Sequence, residues 1–167
     1  MQHPAITQYK YHQWANDRIF GRLLELPDEV YDQSIKSVFN SIQEVLAHIY
    51  QTDGMWLSVM SGDDFAQTVE TLKQIKEKCD NKSLTQIDDL YKAMNTQYLD
   101  FLNKQDDLDR ELTIKPPKYG PLEISVTEMV KHVVNHGTYH RGNITAMLRQ
   151  QGHAGVPTDY IFYLYDR

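Results

Sequence analysis

A single cysteine, Cys79, stands in the whole chain, so no intrachain disulfide can form. It lies between Lys78 and Asp80 with no histidine nearby in sequence. That context reads as a surface or half-buried thiol rather than a nucleophile. Positive charge is also scarce: 17 Lys and Arg face 23 Asp and Glu, a net charge of −6 with histidine neutral. Nonspecific nucleic-acid binding needs basic patches, so that class is excluded. No apolar run reaches the ~20 residues that cross a bilayer. The stretch MQHPAITQYKYHQW does not read as a signal peptide. These scarcities point to a reducing, cytoplasmic setting. Glycine and proline number only 8 and 6 and cluster between long periodic segments.

What is present is enough for one domain over residues 1–167: hydrophobic residues make up 41 %, and the length can bury a core. The pattern predicts four main helices. The first runs from Pro4 to Leu26, ahead of Pro27. The second starts at the capping box Ser41-Ile-Gln-Glu44 and ends near Gly62. The third covers Leu84 to Lys104 with Ser83 as its cap. The fourth opens with a second capping box, Ser125-Val-Thr-Glu128, and ends at Gly152. Prolines exclude a helix between Arg110 and Ile124, leaving a loop or a short hairpin. The aromatic tail Pro157–Tyr165 reads as a short packed helix. An all-α four-helix bundle is the simplest architecture for this order.

The chemistry concentrates in one segment, His132-Val-Val-Asn-His136-Gly-Thr-Tyr-His140-Arg-Gly-Asn143, which holds three of the seven histidines at i, i+4, i+8. One helical turn separates each from the next. At about 100° per residue from Val126, the apolar stripe takes in Met129, Val130, Val133, Ile144, Met147 and Leu148. His140 falls about 40° from its centre, His136 about 80°, and His132 about 120°, toward solvent. His132 and His140 are also about 12 Å apart along the axis. His136 and His140 are therefore the pair suited to one divalent ion; hydrogen-bonded core histidines are the other reading. Zinc usually takes at least three protein ligands. The second helix offers one further histidine, His48, which also reads as a plain helix-flank residue. His3, His12 and His153 have no ligand-spaced partner.

Neighbouring residues add detail. Gly137 falls mid-stripe beside His136, and Gly142 follows; each costs about 1 kcal/mol relative to alanine inside a helix. Close packing or open space beside a metal accounts for Gly137. Asp53, on the apolar face of the second helix, reads as a supporting group for the metal or as an acid paired with a lysine or arginine. Arg141 reads as a carboxylate binder or as half of a structural ion pair. Other motifs fail. Gly137 stands where a zincin needs glutamate, and no Glu-x-x-His pair of a di-iron bundle is present.

Three segments together carry a resemblance: Trp14-Ala-Asn16, the single His48 of the second helix, and His136-Gly-Thr-Tyr-His140-Arg-Gly-Asn143. The chain resembles the DinB/YfiT-like family of four-helix-bundle metalloproteins over most of its length. The resemblance implies a divalent metal, zinc or nickel, held by His48, His136 and His140, and a homodimer. Relatives in the wider superfamily include enzymes using low-molecular-weight thiols, so it implies a thiol S-transferase with a small thiol and an electrophile as substrates. A metal-dependent hydrolase and a non-catalytic, stress-related metal-binding or dimeric module are the alternatives. The family usually has glutamine at the position of Asn143, a departure outside the ligand positions.

Overall fold

The computed structural model describes residues 2–167. The elements, in chain order, are α1 (Pro4–Leu24), α2 (Glu29–Asp32), α3 (Ile42–Met60), α4 (Phe65–Cys79), α5 (Leu84–Asn103), β1 (Glu111–Ile114), β2 (Leu122–Ser125), α6 (Val126–Gln150) and α7 (Tyr160–Asp166). Four long helices form the bundle. α1 packs on α5 and α6, and α3 packs on the same two. The all-α bundle expected from the sequence is thus the fold.

The helix starts follow from capping chemistry. At α6 the Ser125 hydroxyl accepts the Glu128 N–H at 3.2 Å, and the Glu128 carboxylate accepts the Ser125 N–H at 3.0 Å. Both orphan donors are satisfied. At α3 the Ser41 hydroxyl caps Glu44, but the Glu44 carboxylate accepts the N–H of Asn40 instead of closing the box. α1 begins with Pro4 at its first position, behind the His3 imidazole, which accepts the Ala5 N–H. Gly62 and Gly152 follow α3 and α6 with φ of +94° and +83°, the left-handed conformation that glycine adopts at helix ends.

Two features differ from the sequence expectation. α1 stops at Leu24, two residues early, because the chain tightens into the turn before Pro27. The segment before α6, expected as a loop or a short hairpin, is a two-stranded antiparallel hairpin, with Leu112 opposite Ile124. The second difference is α4, a fifth substantial helix, which the four-helix reading left out. It has its own capping box, Asp64 with Gln67, and packs against α3. Only Thr68, Ile75 and Cys79 of it are buried, so its apolar periodicity is thin.

The core lies between α1, α3, α5 and α6, filled by residues such as Ile19, Phe20, Ile42, Leu46, Ile49, Tyr98, Met129, Val130 and Ile144. Burying each aliphatic side chain contributes about 1.5–3 kcal/mol. α7 folds back on α1: Tyr11 packs edge-on against Tyr160 at 5.1 Å, and the Trp14 indole donates to Asp166. Among the described residues, no helix is long and apolar enough to cross a membrane.

Candidate metal centre

α3 and α6 pack side by side, and this brings His48 to His136 and His140. One ring nitrogen of each lies within 4.8 Å of the others. His48 Nε2 and His136 Nε2 are 3.1 Å apart. Tetrahedral zinc with bonds of 2.0–2.1 Å needs nitrogens about 3.4 Å apart, so small side-chain movements close the set. His140 is buried, while His48 and His136 are half-buried. His132 stays exposed and packs on Trp56, ring centroids 4.9 Å apart, outside the cluster. The helical angles of the four-residue series therefore foretold the order of burial.

Burial pushes the pKa of all three histidines down. His136 is pushed to about 3, first by burial and then by its neighbours His140 and His48. Burial lowers His48, partly offset by the Asp53 charge, and lowers His140 together with His48. At neutral pH the three imidazoles are uncharged, the form that binds a metal. The donor set also fits. Three neutral nitrogens converge without a carboxylate, and the group is the one such cluster among the described residues. This set suits zinc or nickel and leaves positions for other ligands.

The same shifts set a pH dependence in the metal-free protein. Each folded-state pKa lies below the ~6.5 of an unfolded histidine. As pH falls below that value the unfolded chain takes up protons first, so stability is full above pH ~6.5 and is lost toward the low folded values. Calorimetry of metal-free protein should show a lower Tm at pH 5 than at pH 7.5. A flat Tm over that interval contradicts the burial of neutral histidines.

The surroundings of the cluster are aromatic. The Phe39 ring lies 5.2 Å from His48 and 5.4 Å from His140, and exposed Tyr139 packs edge-on against His140 at 4.9 Å. A cavity of about 630 Å³ runs from Phe39 and His48 past Gln51 to Lys76 and Cys79. Cys79 is buried at its far end, less exposed than its sequence context suggested. Its sulfur accepts from Gln51 at 3.2 Å and donates to the Lys76 carbonyl, and burial pushes its pKa up. It is therefore a held thiol at neutral pH, not a thiolate. Asn143 lies closer to the chemistry than its position suggested: its amide nitrogen is 3.1 Å from His140 Nδ1. Turned over, the amide offers its oxygen to Nδ1–H and frees Nε2 as a ligand.

A second polar cluster joins Asp53 and Arg141 through His12 and Asn16, a pairing the sequence did not reveal. His12 and Asp53 are buried, with His12 Nε2 2.9 Å from Asp53 Oδ2. Arg141 is 1 % exposed; it donates to Asn16 Oδ1 and to Thr138 Oγ1, each at 2.9 Å, and lies 3.3 Å from His12 Nδ1. A guanidinium only donates, so His12 Nδ1 is the acceptor there; His12 Nε2 faces both Asp53 Oδ2 and, at 3.1 Å, the Asn16 amide nitrogen. Asp53 is paired with a histidine, not with a lysine or arginine. Arg141 is sealed from any carboxylate outside and balances Asp53 across His12 and Asn16. Besides Asp53 on an apolar face and Arg141, a further legible sign was His12 and Asn16 at i, i+4 on the buried stripe of α1, two polar residues where apolar ones belong.

This cluster accounts for Gly137. A Cβ there overlaps the His12 ring and crowds Arg141 Nη1, whereas a Cβ at Gly142 meets nothing within 4 Å. His12 cannot yield, because Asp53 and Arg141 hold both its nitrogens. Gly137→Ala should therefore destabilise by about 1–3 kcal/mol despite the better helix former. Gly142→Ala should stabilise by up to about 1 kcal/mol. Urea unfolding of both variants checks the contrast, and equal effects contradict it.

Comparison with known proteins agrees with this architecture. The family model described as DinB family matches residues 1–167. The curated protein "Protein DinB" of Bacillus subtilis (strain 168) is 46 % identical over 161 residues, covering 96 % of this chain and 94 % of that protein. A crystal structure of a DinB-like protein from Bacillus cereus ATCC 10987 superimposes with a TM-score of 0.67 at 20 % identity, covering 92 % of this chain and 94 % of that one. A DinB-like protein from Bacillus subtilis gives a TM-score of 0.65 at 16 % identity over 93 % of this chain and 96 % of that one. At these identities the two structures bear on the fold alone.

Proposed function

We propose that this chain, which belongs to the DinB family, is a single-domain cytoplasmic protein that holds one zinc or nickel ion on His48, His136 and His140 and transfers a small thiol to an electrophile. The observation that carries the reading is the convergence of three neutral imidazoles, one of which, His48, lines an open cavity. When bound, the ion keeps its full positive charge and lowers the pKa of a thiol or water at an open position.

The chain's own residues accommodate thiol transfer. Asp53 is the one buried carboxylate among the described residues, and His12 occupies it. A thiol or a water ionised by the ion needs no separate general base, and the Glu44 carboxylate lines the same cavity as His48. Cys79 is protonated and tied to Gln51, so the reacting thiol comes from solution. Phe39 and Tyr139 shield the histidines from water and offer aromatic faces to an apolar electrophile. The cavity wall carries one cation, Lys76, among three carboxylates, Glu44, Glu77 and Asp80. The expected homodimer belongs to the same proposal, and light scattering at micromolar concentration reads it directly.

The test is turnover of several low-molecular-weight thiols with a panel of aromatic and alkyl electrophiles, before and after metal loading. Metal-dependent consumption of both substrates supports the reading. A zinc-loaded protein that turns over none of them contradicts the catalytic part and leaves a metal-binding module.

A further inference from the structure

His140 is wedged among four other rings. His136 and His48 lie 4.4 and 4.6 Å from it, and Phe39 and Tyr139 lie 5.4 and 4.9 Å away, each steeply inclined to its plane. Such contacts hold the plane of the imidazole but not which way round it sits. A half-turn about the Cβ–Cγ bond keeps the plane and exchanges Nδ1 with Cδ2 and Nε2 with Cε1. Dispersion barely distinguishes these atoms, whereas a hydrogen bond does. Among the described residues the His140 ring has one hydrogen-bond partner, the Asn143 amide nitrogen, 3.1 Å from Nδ1. Asn143 follows three residues later on α6, and helical side chains lean back over the preceding turn, so this short amide reaches the ring.

We propose that Asn143 is a positioning residue for the metal centre: it locks the His140 ring the way round that presents Nε2, rather than a carbon, to the ion. The lock is independent of the tautomer. An amide donates to a bare Nδ1 or accepts from Nδ1–H, and a C–H at that edge offers neither bond. With Nδ1 engaged, Nε2 is the nitrogen left for the ion. A metal there puts the proton on Nδ1, and the amide oxygen facing that proton orients the ring and raises its basicity. Asn143 is half-buried, and its side chain makes no other hydrogen bond among the described residues. Its loss therefore costs the fold little, which separates metal affinity from stability. The role in metal binding rests on the reading of His140 as a ligand; the lock on the ring does not.

The test measures zinc affinity by chelator competition, together with Tm, in the natural protein, Asn143→Leu and Asn143→Asp. Leucine keeps the volume, removes the hydrogen bond and is a better helix former. Aspartate keeps an acceptor in the same place. Asn143→Leu should bind zinc roughly ten- to hundredfold more weakly at an unchanged or higher Tm, and Asn143→Asp should bind at least as tightly as the natural protein. A folded Asn143→Leu with natural affinity overturns the proposal, as does an Asn143→Asp variant as weak as Asn143→Leu. Affinity lost only in step with Tm shows a merely structural role and also overturns it. In zinc-loaded natural protein, long-range ¹⁵N–¹H spectra should show His140 protonated on Nδ1; a proton on Nε2 places the ion on the other nitrogen and contradicts the lock. In metal-free protein, nuclear Overhauser contacts from the two ring C–H groups of His140 to Phe39 and Tyr139 should show one orientation naturally and two in Asn143→Leu. Two in the natural protein, or one in the variant, overturns the proposal. If the natural protein binds no zinc at all, the proposed function fails, and these contacts alone decide the lock.

Discussion

His140→Ala is expected to bind zinc more weakly than the natural protein by more than the 10- to 100-fold that loss of a supporting residue costs. His132→Ala, one face away on the same helix, is expected to bind as before. His140 is buried with its ring 4.4 Å from His136 and 4.6 Å from His48, and losing it leaves two nitrogens for the ion. His132 is exposed and packs on Trp56. Competition with a chromophoric chelator measures both affinities. Circular dichroism should show the same helix content in the three proteins, since none of the changes opens the core between α1 and α5. Equal loss in both variants contradicts the ligand set, as does equal retention.

Arg141→Met should be the most destabilising single change in the molecule. It removes a buried cation and leaves the Asp53 carboxylate with His12 alone in the interior. Stranding one partner of a buried charge system costs about 3–5 kcal/mol. At about 2–4 °C per kcal/mol for a chain of this size, Tm should fall by roughly 6–20 °C. Burial also pulls the guanidinium pKa below its ordinary value, the sign of a charge held at a cost. The double variant Arg141→Met with Asp53→Asn should recover part of the loss, because the two residues act through one network. A drop in Tm below about 2 °C, or losses that simply add, contradicts this account.

Local rules made most of the fold legible. Capping boxes at Ser125 and the apolar stripe of α6 fixed that helix, and its angular order ranked His140, His136 and His132 by burial. The hairpin remained open in the sequence because Glu111–Ile114 is short and its partner lies beyond three prolines, Pro116, Pro117 and Pro121. α4 was missed because it turns only three residues into the core, so the periodic signal that exposes a helix is faint. The capping box Asp64-Phe-Ala-Gln67 was present and is the sign that could have found it.

The site divided along the same line. His136 and His140 are one turn apart on one helix, a spacing that sequence displays. The pairing of either with His48 joins residues 88 apart along the chain for His136, and its reading rested on a family resemblance. Asp53 with His12 and Arg141 with Asn16 are pairings across 41 and 125 residues, which no local pattern encodes. Gly137 stood out in the sequence as a costly residue in mid-helix. Its cause, the His12 ring pressed on its backbone, needed the packing of α1 on α6.

The central claim is one divalent ion per chain on His48, His136 and His140. A crystal structure of zinc-loaded protein, purified without an affinity tag and recorded on both sides of the zinc absorption edge, tests it most directly. The account predicts one anomalous peak per chain, bonded to one nitrogen of each of these three histidines at 2.0–2.1 Å, with at least one further position open to the cavity beside Phe39. An anomalous peak held through His132 or Asp53, or none between α3 and α6 in fully folded protein, contradicts it.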